Sequence, residues 1–341
     1  MTEKTKKIIL ISANRFCVPY PVYPIGLSYL KTYLCANLSD EFQVSMLDAN
    51  MYSNDELFQK LKEENPFFVG VSFRNVDGAN SLEEGNFLEG YVQIVNTVRK
   101  ATSAPISIGG SGFSIFPEYF MQKTGADYGI VGEGELSLKE LIEKLSKKED
   151  VSDIEGLIFP GESKPKLPHK KYVSSLDVRF EEDLVDYYWK YSGMLNIQTK
   201  RGCPYNCVYC SYPVIDGRKI RTLDPDNIVS DIKYLKETKK INYFFFTDSV
   251  FNICDEFNIE LANKLIEADV KIRWGAYFSP KNLPEEHLKL FKESGLTHIE
   301  FGTESLSDEA LKAYGKNFTF ADIKKASDLC VKHGVYYAHF L

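Results

Sequence analysis

Three cysteines with short spacing are the residues of this sequence best suited to metal chemistry. They are Cys203, Cys207 and Cys210; Gly202 comes directly before the first of them, and Pro204 lies inside the loop that they define. Thiolates are soft ligands that suit an iron–sulfur cluster or a zinc ion. A structural zinc site normally takes four ligands, and no fourth Cys or His lies within about twenty residues on either side. Three ligands leave one coordination position open, as a catalytic site requires; buried thiols without metal are the structural alternative.

Polar side chains also follow two apolar runs further along the chain. Asp248 and Ser249 follow the run 243–246, with Thr247 between them and the run. Thr303 and Glu304 follow the predicted strand 298–301, with Gly302 between them and the strand. A carboxylate can accept both hydroxyls of a ribose, so Glu304 suits a nucleoside ligand. The structural alternatives are a loop cap for Asp248 and a helix N-terminal charge for Glu304.

The pattern C-x3-C-x2-C, with the aromatic Tyr209 just before its third cysteine, resembles the signature of the radical S-adenosylmethionine (SAM) enzymes. In that family the motif lies on the loop after the first barrel strand, where this sequence also places it. The resemblance implies a 4Fe–4S cluster on the three thiolates, with SAM bound to the remaining iron and cleaved to a 5′-deoxyadenosyl radical. It assigns to SAM the side chains of Tyr209, Asp248, Ser249, Thr303 and Glu304.

The cysteine loop needs a scaffold, and the second part of the chain predicts a (β/α) barrel over residues 193–341. Apolar runs there alternate with segments whose apolar residues recur at helical spacing. The predicted strands are 195–199, 242–246, 271–276, 298–301 and 335–341. The last run ends with the chain and would leave an unpaired edge, so we expect the barrel to be incomplete, or truncated at its carboxyl end.

The first part of the chain predicts a different α/β domain over residues 1–148. Five apolar runs alternate with amphipathic segments, which is typical of a flavodoxin-like, doubly wound parallel sheet. The predicted strands are 7–12, 43–47, 67–73, 105–108 and 127–131. Residues 149–192, rich in Lys, Pro, Gly and acidic residues at their start, are predicted to be a linker with a strand pair at 156–159. Ligands of such sheets bind at the carboxyl ends of the strands.

Glycines and polar residues follow several strands of this first domain. Paired glycines let a large ligand lie close to the backbone, and helix amino termini receive its phosphate and amides. A tight turn is the structural alternative for each pair. Placed directly before a radical SAM barrel, these segments resemble the cobalamin-binding branch of that superfamily. The resemblance assigns to cobalamin the residues Ser72, Arg74, Asn75, Gly109, Gly110, Gly132 and Glu133.

The sequence departs from the familiar cobalamin pattern at one point. It lacks the motif D-x-H-x-x-G, in which the histidine coordinates cobalt from below, and its first histidine is His169. We therefore expect no histidine ligand on the lower face of cobalt. Arg74 is a candidate to cover that face, where its fixed charge would favour electron-rich cobalt. An ordinary surface arginine is the alternative.

The charge balance and the hydropathy exclude several classes of protein. The 41 Lys and Arg residues against 48 Asp and Glu give a net charge of −7, so no global cationic field would gather nucleic acid or anionic lipid. No apolar run approaches the ~20 residues that a membrane-spanning helix needs. Seven cysteines, an odd number, argue against a secreted disulfide scaffold. We expect a cytoplasmic protein without a membrane partner.

Together these features predict a cobalamin-dependent radical SAM enzyme, with a methyltransferase acting on an unactivated carbon as the first choice. One SAM would methylate cobalt, and a second would supply the radical. The alternatives are a radical SAM cyclase or oxidase with non-methylating cobalamin, and a metal- or cobalamin-binding sensor without enzymatic activity. The expected partners are a small-molecule or peptide substrate and an electron donor such as flavodoxin or ferredoxin.

Overall fold

The computed structural model describes residues 5–76, 87–167, 169–173 and 178–341 of the chain. The chain divides into two compact units, Met1–Glu181 and Glu182–Leu341. This boundary assigns most of the segment 149–192, predicted to be a linker, to the first unit and its last residues to the second. No helix among the described residues is long and apolar enough to cross a membrane.

The first unit is built on a mainly parallel sheet. Its elements in chain order are β1 (Lys6–Ser12), α1 (Ile25–Asn37), β2 (Phe42–Asp48), α2 (Asn54–Glu64), β3 (Phe68–Ser72), α3 (Phe87–Ala101), β4 (Ile106–Gly109), α4 (Ser111–Ile115), α5 (Pro117–Thr124), β5 (Tyr128–Ile130), α6 (Glu135–Lys147) and β6 (Leu157–Ile158). The strand order is β2-β1-β3-β4-β5-β6. The first five strands have the flavodoxin-like order that the sequence predicts.

Alternate residues of β1 enter two separate cores, because successive strand side chains point to opposite faces of the sheet. Ile9 and Ile11 pack with side chains of α2, α3 and α5. Ile8 and Leu10 pack with side chains of α1 and α6. Helices therefore cover both faces, which confirms the doubly wound sheet. One detail differs from the prediction: in place of a strand pair at 156–159 there is the single strand β6, antiparallel to β5.

The second unit is built on five parallel strands. Its elements are α7 (Glu182–Ser192), β7 (Leu195–Ile197), β8 (Lys200–Arg201), α8 (Tyr212–Ile215), β9 (Arg221–Thr222), α9 (Pro225–Lys239), β10 (Tyr243–Phe246), α10 (Asp255–Glu267), β11 (Arg273–Phe278), α11 (Glu285–Glu293), β12 (Leu296–Gly302), α12 (Asp308–Ala313), α13 (Phe320–His333) and β13 (Tyr336–Phe340). The strand order is β7-β10-β11-β12-β13. This is the alternating β/α pattern that the sequence predicts.

An aromatic core lies on one face of this second sheet. Trp274 of β11 has no exposed surface, and its ring lies 4.9 Å from Phe246, 5.0 Å from Phe251 and 6.2 Å from Phe291, centroid to centroid. Phe246 belongs to β10, Phe251 to the 3₁₀ turn Phe251–Ile253 and Phe291 to α11, so these rings join the sheet to its helices. Phe246 is the last residue of β10, so this packing holds the strand end that Asp248 and Ser249 follow.

Candidate functional site

The cysteine loop begins at a short strand pair that the sequence analysis did not predict. Antiparallel β8 and β9 lie directly before and after the loop region. Between them, Gly202 has a φ of +89°, and a Cβ there would lie 2.2 Å from the Lys219 carbonyl oxygen. Only glycine fits this position without a shift of the backbone. The Cys203 amide then donates to the Gly217 carbonyl at 3.1 Å.

The other side of the cysteine loop is held by the segment after α12. The Val208 amide donates to the Tyr314 carbonyl at 3.0 Å. A Cβ on Gly315 would lie 2.5 Å from the Asn206 carbonyl oxygen, so the two backbones are in close contact. The loop is therefore fixed on both sides by backbone, which is the arrangement that a rigid ligand-bearing loop needs.

The three thiols of the loop are free. Cys203 is buried, whereas Cys207 and Cys210 are partly exposed. Burial raises the pKa of the Cys207 and Cys210 thiols, while the ammonium of Lys316 opposes the shift. No three His, Cys, Asp or Glu side chains of the described ranges are grouped so as to hold a single metal ion. A four-iron cluster takes one thiolate on each of three irons, so three soft sulfur donors on one rigid loop fit that cofactor.

Asp248, predicted to contact SAM, has a different role in the structure. Its side chain has no exposed surface. Its Oδ1 accepts from the backbone amides of Thr199 at 2.7 Å and Lys200 at 3.0 Å. Its Oδ2 accepts from Thr199 Oγ1 at 2.5 Å and Lys200 Nζ at 2.8 Å. Both oxygens are fully used, so Asp248 anchors the start of the cysteine loop and offers no atom to a ligand.

Lys200 completes this anchor as the buried cationic partner. Burial lowers the pKa of its ammonium, and the Asp248 carboxylate opposes that shift. The ammonium also lies over the rings of Phe251 at 4.4 Å and Phe257 at 5.1 Å. The buried Lys200 ammonium requires the Asp248 carboxylate, because an unpaired buried charge is strongly unfavourable. Ser249, the next predicted residue, donates from Oγ to the Gly202 carbonyl at 3.2 Å and thus touches the base of the loop.

Glu304 lies at the end of β12 together with Tyr209, as the predicted SAM site requires. The Glu304 side chain hydrogen-bonds the Tyr209 hydroxyl; burial first and this carboxylate second raise the pKa of Tyr209. The backbone of Glu304 has a φ of +67°, and its amide donates to the Phe340 carbonyl at 2.7 Å. About a third of the Glu304 side chain is exposed, so the carboxylate keeps capacity for a ligand.

Lys316 belongs to the same group of residues, and sequence reasoning missed it. Its Nζ donates to the Gly302 carbonyl at 2.7 Å, lies 3.7 Å from Glu304 Oε1 and sits 5.2 Å from the centre of the Tyr209 ring. It thus links the end of β12 to the cysteine loop. No motif in the sequence points to this lysine, because only the turn after α12 brings it back to the strand end.

Thr303, the other residue predicted to contact the ribose, is turned away from such a contact. It has no exposed surface, and its Oγ1 is paired with His339 Nδ1 at 2.6 Å. The second ring nitrogen of His339 lies 3.0 Å from Ser327 Oγ. The hydroxyl therefore ties β12 to β13. Of the two residues that follow β12, Glu304 therefore keeps a partly exposed polar side chain and Thr303 does not.

The residues predicted for cobalamin meet at the carboxyl edge of the first sheet. Ser72 of β3 is in register with Gly109 of β4. A Cβ on Gly110 would lie 2.6 Å from the Phe73 carbonyl oxygen and 2.8 Å from Ser72 Oγ, and Gly110 has a φ of +98°. Its glycine identity is therefore required for this close approach.

Ser114, which the sequence analysis did not single out, joins two of these predicted segments. Its Oγ donates to the Gly110 carbonyl at 2.9 Å and accepts from the Gly132 amide at 2.8 Å. Gly132 has a φ of +84°, and the partly buried Glu133 follows it. The ends of β4 and β5 therefore form one continuous glycine-lined edge.

Arg74 and Asn75 follow β3 at the same edge. The Tyr91 hydroxyl accepts from the Asn75 amide at 3.1 Å and donates to its carbonyl at 2.9 Å. Burial raises the pKa of Tyr91 to about 12, so this hydroxyl stays protonated as a donor. The Arg74 side chain is exposed and donates to Asn75 Oδ1 at 3.2 Å. The Arg74 carbonyl accepts from Ser111 Oγ at 3.0 Å, so its backbone is held while its guanidinium remains accessible to a ligand.

Asn14, in the loop after β1, was not selected from the sequence. It is 4% exposed, and its side-chain oxygen has no hydrogen-bond partner within the described ranges. Its carbonyl accepts from Asn50 Nδ2 at 2.8 Å. An unsatisfied buried oxygen at the strand end of such a sheet fits a ligand that supplies a donor. Only the tertiary structure shows that this residue is buried.

Comparison with known protein families finds a matching family model for each of the two units. The family model described as "B12 binding domain" matches residues 11–142, and the model described as "Radical SAM superfamily" matches residues 197–340. The chain therefore belongs to the cobalamin-binding radical SAM proteins, with one domain of each kind.

Individual relatives share both domains. Tryptophan 2-C-methyltransferase of Streptomyces laurentii is 24% identical over 96% of this chain and 65% of that protein. Anaerobic magnesium-protoporphyrin IX monomethyl ester cyclase of Rubrivivax gelatinosus is 24% identical over 92% of this chain and 57% of that protein. The chain thus spans less than two thirds of the length of these curated relatives.

A solved structure shows the same arrangement of elements. The radical SAM methyltransferase TsrM of Kitasatospora setae, with tryptophan and a SAM analogue bound, matches with a TM-score of 0.88 at 25% identity. The match covers 98% of this chain and 67% of that one. This similarity supports the fold of both units.

Proposed function

We propose that this protein is a cobalamin-dependent radical SAM methyltransferase that transfers a methyl group to an unactivated carbon of a small-molecule or peptide substrate. The observation that carries the proposal is the rigid loop with three free thiols, which the Glu304–Tyr209–Lys316 group adjoins. The glycine-lined edge of the first sheet supports the cobalamin part. When bound, the cluster supplies an electron to cleave SAM, and cobalamin supplies a carrier for the methyl group.

The residues of the second unit bind and orient the first pair of cofactors in this proposal. Cys203, Cys207 and Cys210 hold the cluster. Glu304 accepts the ribose hydroxyls of SAM, with the Tyr209 hydroxyl as its neighbouring donor. Ser249 orients the base of the loop, while the ammonium of Lys316 keeps Glu304 in place. Asp248 and Thr303 stabilise the scaffold.

The residues of the first unit bind cobalamin in this proposal. Gly109, Gly110 and Gly132 allow close approach of the corrin ring to the backbone, and Ser72, Asn75 and Glu133 offer polar contacts. Arg74, which is exposed at the same edge, would supply a fixed positive charge to the bound cofactor and would not coordinate cobalt, because a guanidinium has no lone pair to donate.

An electron donor such as flavodoxin or ferredoxin is also part of the proposal. Val208, between the second and third cysteines, is 70% exposed, so the cysteine loop reaches the surface there. Arg218 and Lys219 are also exposed, and Arg218 donates to Asn206 Oδ1 of the cysteine loop at 2.7 Å. Local positive charge on a chain of net charge −7 would orient an acidic donor toward the cluster. Salt should therefore slow reduction of the cluster by such a donor.

A labelled-methyl experiment tests the function. The anaerobically reconstituted chain with bound cobalamin is reduced and given SAM that carries a ¹³C-methyl group. We expect ¹³C-methylcobalamin to form in the wild type. Formation of 5′-deoxyadenosine without any methylcobalamin would instead favour a cyclase or oxidase, and absence of both would overturn the proposal.

A further inference from the structure

The second sheet carries aromatic and ionisable side chains on the face opposite the Trp274 core. The register pairs Tyr277 of β11 with Glu300 of β12. It pairs Phe245 of β10 with Gly275, and Gly302 of β12 with Phe340 of β13. Because successive strand residues alternate between faces, these residues all share the face that Trp274 does not. We call Phe245, Tyr277, Glu300 and Phe340 the inner wall.

Glu300 is the charged member of the inner wall, and its carboxylate is poorly satisfied. Its side chain is 18% exposed. Across the residues that the structure describes, no hydrogen-bond donor reaches it, and His298 Nδ1 lies 3.9 Å from its Oε1, beyond hydrogen-bond distance. Burial raises the pKa of the Glu300 carboxyl. A largely buried carboxylate without a donor is unfavourable, and a ligand that brings a donor would relieve the cost.

Small residues leave space beside this carboxylate. Ala338 is the register partner of Glu300 on β13, and Gly302 is the next residue of β12 on the same face. A Cβ on Gly302 would have one atom within 4 Å, Glu304 Oε1 at 3.8 Å. The open space therefore lies between Glu300 and the carboxylate that we assign to SAM.

Aromatic rings line the rest of the inner wall. The Tyr277 ring lies 4.9 Å from Phe245 at an interplanar angle of 75°, and 6.2 Å from Phe340 at 46°. Aromatic rings carry negative charge on their faces and attract cations, while their carbon surface binds apolar groups. The rings and the carboxylate thus both favour a ligand that joins a cation to an apolar group.

We propose that the inner wall binds the substrate, and that this substrate carries a protonated amine on an apolar body. The ammonium would donate a charge-assisted hydrogen bond to Glu300, and the body would lie against Tyr277 and Phe340. An anionic substrate would be repelled by the same wall. This inference deepens the proposed function and rests on it, because the wall adjoins the SAM residue Glu304.

Three probes of similar shape and different charge test the inference. Phenethylamine, 2-phenylethanol and 3-phenylpropanoate are titrated into the cluster- and cobalamin-loaded chain, and binding is followed by ligand-observed NMR. The variant is Glu300→Gln, which keeps the shape of the side chain and removes its charge. Glu293→Gln, at the exposed end of α11, is the matched control. SAM affinity and cluster absorbance are measured on each protein in the same preparation.

We expect the amine to bind about tenfold more tightly than the acid, and the preference to fall to about twofold or less in Glu300→Gln but not in Glu293→Gln. Equal binding of amine and acid, no binding of the amine, or an unchanged preference in Glu300→Gln would overturn the inference. The last result would mean that Glu300 serves only as a partner of His298. If SAM binding and cluster absorbance are normal, such a failure leaves the proposed function standing; loss of both in the wild type would refute that function instead.

Discussion

Two carboxylate–lysine pairs lie near the cysteine loop. They differ in how far the carboxylate is exposed and therefore able to bind a ligand. Asp248 and Lys200 are wholly buried and 2.8 Å apart, and the carboxylate has four donors. Glu304 and Lys316 are 3.7 Å apart, and the carboxylate is about one third exposed. The first pair holds the start of the cysteine loop, while the Glu304 carboxylate of the second pair is free to accept a hydrogen bond from a ligand. Burial rather than residue type separates the two roles.

The largest expected effect is a loss of stability when the buried ion pair of Asp248 and Lys200 is broken. Lys200→Met leaves Asp248 charged and buried, so we expect the free energy of unfolding to fall by about 3–5 kcal/mol. The matched variant Lys316→Met should cost about 1–2 kcal/mol, because its partner remains hydrated. Urea unfolding followed by tryptophan fluorescence reports on the second unit, which contains both Trp189 and Trp274. Equal losses in the two variants would show that the pairs do not differ in role.

The next largest effect is expected at Gly202, which lies between Lys200 and Cys203 in the sequence. Gly202→Ala puts a Cβ 2.2 Å from a backbone oxygen at a positive φ, so we expect a cost of about 2 kcal/mol or more and reduced iron loading. Gly26→Ala in α1 is the control, because no atom lies within 4 Å of the added Cβ. Iron content after anaerobic reconstitution is the measurement. Full loading of Gly202→Ala would show that the loop tolerates a different backbone.

A smaller effect is expected on SAM affinity, which should distinguish Glu304 from Asp248. Glu304→Gln should weaken SAM binding about tenfold with little change in stability, since the amide accepts more weakly. Asp248→Asn should lower stability but leave the SAM affinity of the folded protein close to normal. Isothermal titration with SAM provides the comparison. If folded Asp248→Asn loses more SAM affinity than Glu304→Gln, the direct contact predicted from the sequence must exist after all.

The smallest effect is expected in the first unit, where the charge of interest is exposed. Arg74→Lys should retain cobalamin but slow methylation of bound cobalt(I) by a factor of a few, because an ammonium lacks the planar, weakly hydrated fork. Arg99→Lys, in a surface ion pair with Asp127, is the matched control. Single-turnover formation of methylcobalamin is the readout. Identical rates in wild type, Arg74→Lys and Arg74→Ala would identify Arg74 as an ordinary surface residue.

The sequence predicted the scaffold well because its signals are local. Strand and helix periodicity located β1 to β5 and β10 to β13, and cysteine spacing located the loop. Strands β8 and β9 were missed because two residues each give no periodic signal. Their pairing nevertheless decides where the loop begins.

The roles of individual side chains were predicted less well, because burial depends on residues distant in sequence. Asp248 and Thr303 end strands as expected, but Lys200 and His339 occupy their polar atoms. Lys316 lies in no motif, and only the fold brings it beside Glu304. A strand-end polar residue is therefore a candidate whose availability the tertiary structure decides.

Iron and cobalamin content of one variant tests the central claim, that each unit binds its own cofactor through the residues named here. Cys203, Cys207 and Cys210 are all replaced by Ala, and the protein is reconstituted anaerobically with iron, sulfide and cobalamin. We predict about four irons and one cobalamin per wild-type chain, and no cluster iron but undiminished cobalamin in the variant. Undiminished iron in the triple variant would contradict the account.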